Sequence, residues 1–160
     1  MGGSVFIRPA HLGDVKALAR TLRLADRKEL AASHPGIAVE KCLAHFCEVS
    51  LQCVCLGTDC ERLALAGIYT PIALGSYACV WLLTGEGIER YKWSFVRLAK
   101  KQLARWLGMY PILGNEVDAR YQAAQRFIKH LGGNIHHPVV WKGKIPFLYF
   151  TFRRNPWEEL

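Results

Sequence analysis

The run Tyr77–Leu83, "YACVWLL", is apolar at every position. Successive side chains of a strand point to opposite faces, so a run apolar throughout must be covered on both. Such a strand belongs inside a sheet that has a layer on each side. The next residues narrow the choice. Residues 84–93, "TGEGIERYKW", carry two glycines one residue apart, and "SFVRLAKKQLARWL" then spaces its apolar residues as a helix does. On that helix Arg97, Lys101 and Arg105 share one stripe, opposite Phe95, Leu98, Leu103, Trp106 and Leu107. A buried strand, a glycine loop and a long amphipathic helix are the parts of an α/β domain.

The other elements can be read on either side of this unit. "SVFIRPA" reads as a first strand closed by Pro9. Asp14 then caps or enters the first turn of a helix with Val15, Leu18, Leu22 and Ala25 at helical spacing. "HPG" at 34–36 breaks the chain before a second helix, "IAVEKCLAHFCE". In "VSLQCVCL" the alternation puts Val49, Leu51, Cys53 and Cys55 on one face of a strand. "TDC" turns into a third strand, "RLALAGIYTPI", in which Gly67 is expected to mark a bulge. The apolar run is the fourth, and the basic helix spans roughly 90–107. "YPILGNEVD" holds a short fifth strand, and "ARYQAAQRFIKHL" is a helix ended by Gly132 and Gly133. "NIHHPVVWKG" and "KIPFLYFTF" close the chain as a hairpin before the polar tail "RRNPWEEL". The predicted order is β-α-α-β-β-β-α-β-α-β-β, in one domain over 1–153 with a tail over 154–160.

With 160 residues, 51% of them hydrophobic and 21% charged, the chain can bury a core of its own. No apolar run approaches the ~20 residues of a membrane-spanning helix. "MGGSVFIRPAH" lacks the charged start and apolar stretch of a signal peptide, and Phe6 stands where N-myristoylation wants Ser or Thr. A soluble, cytoplasmic protein without a membrane partner is expected. Its cysteines, Cys42, Cys47, Cys53, Cys55, Cys60 and Cys79, are then reduced core thiols. Cys53, Cys55 and Cys60, or Cys42, His45 and Cys47, would suggest zinc, but neither group has paired C-x-x-C spacing, and no metal is expected. The net charge is +8, and Arg90, Lys92, Arg97, Lys100, Lys101 and Arg105 supply much of the excess. They form either a solvated outer face or a surface for an anionic partner: RNA, DNA, acidic protein or a nucleotide phosphate.

The order of elements, with a glycine loop between the fourth strand and a long helix, resembles the GCN5-related N-acetyltransferase (GNAT) fold over nearly the whole chain. "IRPAHLGDV" is similar to the start of many such proteins, and "ARYQAAQRFIKHLGG" to the family's late helix. More narrowly, "VWLLTGEGIERYKWSFVRLAKKQLARWL" and "VDARYQAAQRFIKHLGG" resemble the GNAT-like internal virion protein A of short-tailed phages. The resemblance implies a central mixed, mostly antiparallel sheet of about seven strands with about four helices. It implies acetyl-CoA as a cofactor, held by Leu82, Leu83, Thr84, Gly85, Gly87, Arg90 and Ala124. In active members the loop reads Gln/Arg-x-x-Gly-x-Gly/Ala, and glycines and helix dipole together hold the pyrophosphate. Here Gly85 and Gly87 keep the spacing, but Leu82 stands where the basic or amide residue belongs, and Glu86 and Glu89 add like charge. The loop is therefore either a phosphate cradle or a tight turn whose carboxylates favour the helix start.

Acetyl transfer also needs a base, a proton donor for the departing thiolate and backbone donors for the thioester oxygen. The donors would come from Leu82, Leu83 or Thr84. In the family's late helix a tyrosine is the acid; the matching position here is Ile128, leaving Tyr121, two turns earlier, as a substitute. Candidate bases are Glu48 first, then Asp59, Glu61 and Glu116, each also readable as a solvated charge. Tyr69 and Tyr77 would line a cleft or pack, and the histidines, His136 and His137 among them, show no catalytic partner pattern. Two functions remain open. One is a phage virion-associated or assembly protein with lapsed catalytic groups, working in the host cytoplasm or the particle, and exposed aromatics such as Trp157 fit it. The other is an active acetyl-CoA-dependent N-acetyltransferase. A nucleic-acid binder built on the basic helix is a third.

Overall fold

The computed structural model describes residues 3–71 and 75–155. Its elements are β1 (Phe6–Pro9), α1 (Leu12–Thr21), α2 (Leu24–Ser33), α3 (Val39–Val49), β2 (Gln52–Gly57), β3 (Arg62–Tyr69), β4 (Tyr77–Thr84), a 3-10 turn (Glu86–Tyr91), α4 (Lys92–Met109), β5 (Ile112–Asp118), α5 (Gln122–His130), β6 (Asn134–Lys142) and β7 (Ile145–Arg153). The seven strands form a mixed α/β sheet in the order β1-β2-β3-β4-β5-β7-β6, which puts the apolar run in the middle position its two faces demand. β4 and β5 pair in parallel; β1–β2, β2–β3, β5–β7 and β6–β7 are antiparallel. Ile72 of the expected third strand, and Trp157 with the end of the tail, lie outside the described residues.

The chain forms two compact units, one of residues up to Tyr69 with Trp81–Ala99, the other of Thr70–Val80 with Lys100 onward. In the first unit Val15, Leu18, Leu22, Leu30, Cys42, Leu43, Cys55, Leu65, Trp81 and Leu83 make one core. Leu18, Leu43 and Leu65 have no exposed surface, and each stabilises the fold by roughly 2 kcal/mol. The helix expected to run from Asp14 through Ala25 is two helices, so the described residues form five where about four were expected. Leu22 leaves helical geometry to make a β-bridge with Gly85, and the N–H of Arg23 donates to the carbonyl of Thr84 at 3.0 Å. Arg27 then takes two carbonyls left open at the end of α1, those of Ala19 (2.7 Å) and Leu22 (3.0 Å).

Two further expectations change in this unit. The strand expected from Val49 starts at Gln52. Val49 closes α3, where the N–H and hydroxyl of Ser50 both donate to the Phe46 carbonyl, and Val49 and Leu51 are exposed. Gly67 sits in regular register opposite Cys53, and the irregularity lies at Leu56/Gly57. Gly67 is needed for a different reason. A Cβ there would fall 2.6 Å from Trp81 Nε1 and 2.8 Å from Ser50 Oγ, the two atoms of a 2.9 Å hydrogen bond.

In the second unit β5 lies between the first residues of β4 and residues 147–153 of β7. Its parallel ladder covers Tyr77↔Ile112, Ala78↔Leu113 and Cys79↔Gly114, after which the Asn115 side-chain amide donates to the Val80 carbonyl at 3.0 Å. The hairpin of β6 and β7 turns at Gly143, whose φ of 62° is left-handed. α5 ends at Gly132 and Gly133 as expected, and Gly133 lets the chain pass Ile128 and Phe152, whose atoms lie 2.6 and 2.8 Å from where a Cβ would be.

Candidate functional site

The glycine loop is tied down by its neighbours in the first unit. Thr84 is buried, and its hydroxyl donates to Asp26 Oδ2 at 2.7 Å. The N–H of Gly85 donates to the Leu63 carbonyl at 2.8 Å. A Cβ on Gly85 would meet Leu18 Cδ1 at 3.1 Å and the Arg62 carbonyl at 3.2 Å, so glycine here lets α1 and β3 close on the loop. Gly87 is buried under the carboxylate of Glu61, whose Oε2 lies 2.6 Å from the place of a Cβ. Glu61 in turn pairs with Arg90, which raises the guanidinium further. Arg23 reaches Asp26 and Glu89, each at 3.5 Å. Residues 86–91 coil as a 3-10 turn, beginning with Ile88 N–H to the Gly85 carbonyl at 3.2 Å, before α4 starts.

Asp26 is the buried ionisable group of this loop. Burial pushes its carboxyl up, opposed by the hydrogen bond from Thr84 and the charge of Arg23. A carboxyl raised in the folded state contributes stability that is present below its unfolded value, near 4, and is lost as pH rises through the folded one. Asp26→Asn keeps an acceptor for Thr84 and has nothing to ionise. The variant is expected to melt higher than the parent at pH 7, and the difference should vanish at pH 3. A thermal series across that range checks it, and a lower melting point at pH 7 would contradict the sign.

The other candidate residues are spread over both units. Leu82 is half-buried and Leu83 buried on β4; Glu48 is exposed in the last turn of α3. Tyr121 falls outside the late helix on which it was expected two turns before Ile128. It is the residue before α5, its N–H donating to the Asp118 carbonyl at 3.0 Å, and Ala124 is half-buried in the first turn. The cause is Asp118, which holds the Arg120 N–H at 2.9 Å and its guanidinium at 2.7–3.2 Å, making a turn where the helix was expected. Burial works against that charge, yet Arg120 holds Asp118 below the usual carboxylate range. Ile128 is buried, at the position where an active family member would have its tyrosine. On α4, Arg97, Lys101 and Arg105 are exposed, and Phe95, Leu103 and Trp106 buried, as the helical spacing predicts.

Some partnerships had no signal in the sequence. Tyr77 hydrogen-bonds Tyr149 and accepts from Cys79 Sγ at 3.7 Å; burial, then those two neighbours, raise its hydroxyl. His136 stacks on Tyr149 with centroids 5.6 Å apart and meets Thr151 Oγ1 at 3.0 Å. Glu116 carries the Lys142 ammonium at 2.6 Å. Cys42 and Cys55 are buried thiols, but Cys60 is exposed, because it sits in the turn that Thr58 Oγ1 caps, outside any core. Among the described residues, no group of three or more His, Cys, Asp or Glu could hold a metal ion, and no helix is long and apolar enough to cross a membrane.

No protein-family model and no curated protein matches the chain. Solved structures do match it. An acetyltransferase (GNAT family) from Bacillus anthracis superposes with a TM-score of 0.69 at 7% identity, over 93% of this chain and 94% of that one. The fold is that of the GNAT acetyltransferases. The ribosomal-protein-S18-alanine N-acetyltransferase of Escherichia coli shares the GNAT fold at a TM-score of 0.63, 15% identity and 94% of both chains. The Salmonella typhimurium protein yncA, solved with its cofactor acetyl-CoA, does so at 0.58, 12% identity and 95% of both chains. Identities this low carry the GNAT fold and not an activity.

Proposed function

We propose that this GNAT-fold chain is a binding protein, a virion-associated or assembly component of a tailed phage, whose β4–α4 loop does not hold acetyl-CoA. One observation carries the reading: two groups a pyrophosphate would use, the Gly85 N–H and the Arg90 guanidinium, already have partners inside the protein. The Gly85 N–H is spent on Leu63, and a carboxylate, that of Glu61, lies on Gly87 and neutralises Arg90. A pyrophosphate entering there would meet like charge without the offsetting cation. The phage assignment rests on the resemblance of residues 80–107 and 117–133 to internal virion proteins.

Calorimetric titration with acetyl-CoA, with desulfo-CoA as a control for exchange at the cysteines, should give no heat, and millimolar ligand should give no thermal shift. Glu61→Ala should then acquire measurable CoA affinity, because it uncovers Gly87 and frees Arg90 together. Micromolar binding by the parent chain would overturn the reading of the loop, and absence of the chain from gradient-purified particles would overturn the virion role. The fold likeness to yncA with its acetyl-CoA supports a second reading, an acetyl-CoA-dependent N-acetyltransferase acting on a protein or small-molecule amine, for which Tyr121 and Glu48 are the available acid and base.

A further inference from the structure

We propose that the outer face of α4 binds single-stranded nucleic acid, with Trp93 stacking on an unpaired base and Arg97, Lys101 and Arg105 following the phosphates. The inference is independent of what the glycine loop holds. The 18 residues of α4, "KWSFVRLAKKQLARWLGM", contain five cations and no carboxylate. A helix that only needed a solvated face would pair Lys or Arg with Glu one turn away; a row of like charges at i, i+4, i+8 works against the helix. Trp93 lies four residues before Arg97, so it begins the same row. At 82% exposure it is the most exposed of the large hydrophobic side chains among the described residues. An indole this exposed stabilises no core.

The row Trp93, Arg97, Lys101, Arg105 advances about 6 Å per member along the helix, a spacing on the scale of consecutive backbone phosphates. Lys92 and Lys100, also exposed, flank it. Glu89, the carboxylate nearest before the row in sequence, lies 3.5 Å from Arg23. A cationic track with an aromatic platform is how single strands are bound without reading sequence. A duplex hides its base faces, and an acidic protein would satisfy the cations while leaving the indole idle.

The test is fluorescence anisotropy of a labelled 20-mer of deoxythymidine with the whole chain over a range of salt. Binding should weaken with salt, log K against log salt being linear. Arg97→Gln, Lys101→Gln and Arg105→Gln together should flatten that slope by about 2, at about 0.7 per cation on a single strand. Trp93→Ala should weaken binding about ten-fold or more and leave the slope unchanged. A duplex of the same length should bind more weakly and ignore Trp93→Ala. All these residues are exposed, so unchanged melting curves will show that the variants fold. No binding of the 20-mer at low salt overturns the proposal. So does equal binding of duplex and single strand with no effect of Trp93→Ala, which would be polycation attraction alone. Equal competition by polyglutamate would assign the face to an acidic protein instead.

Discussion

Asp14→Ala will lower the stability of the protein by about 3 kcal/mol, measured as a fall in the urea midpoint at pH 7 with unchanged slope. Asp14 is buried at 2% exposure in the first turn of α1, and three groups donate to it. The Arg8 guanidinium binds both oxygens, at 2.7 and 2.9 Å; Arg62 Nε reaches Oδ1 at 2.6 Å; the His11 N–H, otherwise open at the helix start, donates to Oδ2 at 2.8 Å. Removing one partner of a buried ion pair costs about 3–5 kcal/mol, because the remaining charge stays desolvated. Here both arginines keep about 30% of their side-chain surface in water, which places the loss at the lower end of that range. They also lie over the Phe6 ring at 5.0 and 5.8 Å, so the deletion loosens β1 as well as α1.

The pH dependence has the opposite sign to that of Asp26. Burial disfavours the Asp14 carboxylate, but Arg8, the His11 N–H and Arg62 together outweigh it and hold the carboxyl well below the usual carboxylate range. A depressed carboxyl contributes stability that is complete above its unfolded value, near 4, and is lost as pH falls toward the folded one. The parent should therefore lose stability below pH 4 and Asp14→Ala should lose less, narrowing the gap between them. A gap that widened in acid would refute the assignment.

Gly114→Val should cost about 3 kcal/mol, at the top of the range for overpacking a core. Gly114 is the residue of β5 over which the tyrosines of β4 and β7 meet. A Cβ there would lie 2.9 Å from the Tyr149 hydroxyl, 3.2 Å from Tyr77 Cε2 and 2.7 Å from the Phe150 carbonyl. The first two could swing away, losing the Tyr77–Tyr149 hydrogen bond; the carbonyl belongs to the backbone of β7 and cannot move without opening the β5–β7 ladder. The readouts are the melting temperature and tyrosine absorbance. Tyr77 ionises above the usual tyrosine range in the parent, and this shift should shrink once the pair is parted. Near-parental stability would show that β5 and β7 yield more easily than their register suggests.

Where burial repeats along the chain, the sequence was a sufficient guide. The central place of β4, the two faces of α4, the closing hairpin and the stops at Gly36 and Gly132 come from periods of 2 and 3.6 and from left-handed glycine, all of them local rules. Gly85 and Gly87 were equally visible, but not their use. A glycine admits a close approach without saying what approaches, and the partners here, Leu63 and Glu61, come from another strand and its preceding turn. The break between α1 and α2 escaped for the same reason: Leu22 keeps helical spacing in sequence, yet its backbone pairs with Gly85, 63 positions away. Tyr121 was misplaced by one capping turn, since Asp118 and Arg120 compete with the helix through a side-chain bond that no hydrophobic period records. Sequence by itself determined which faces of β4 and α4 are buried, because burial of a face is written in residue spacing. Only the tertiary structure decided which charges meet, because a carboxylate's partner is chosen by distance in space, and distance in space is what folding creates.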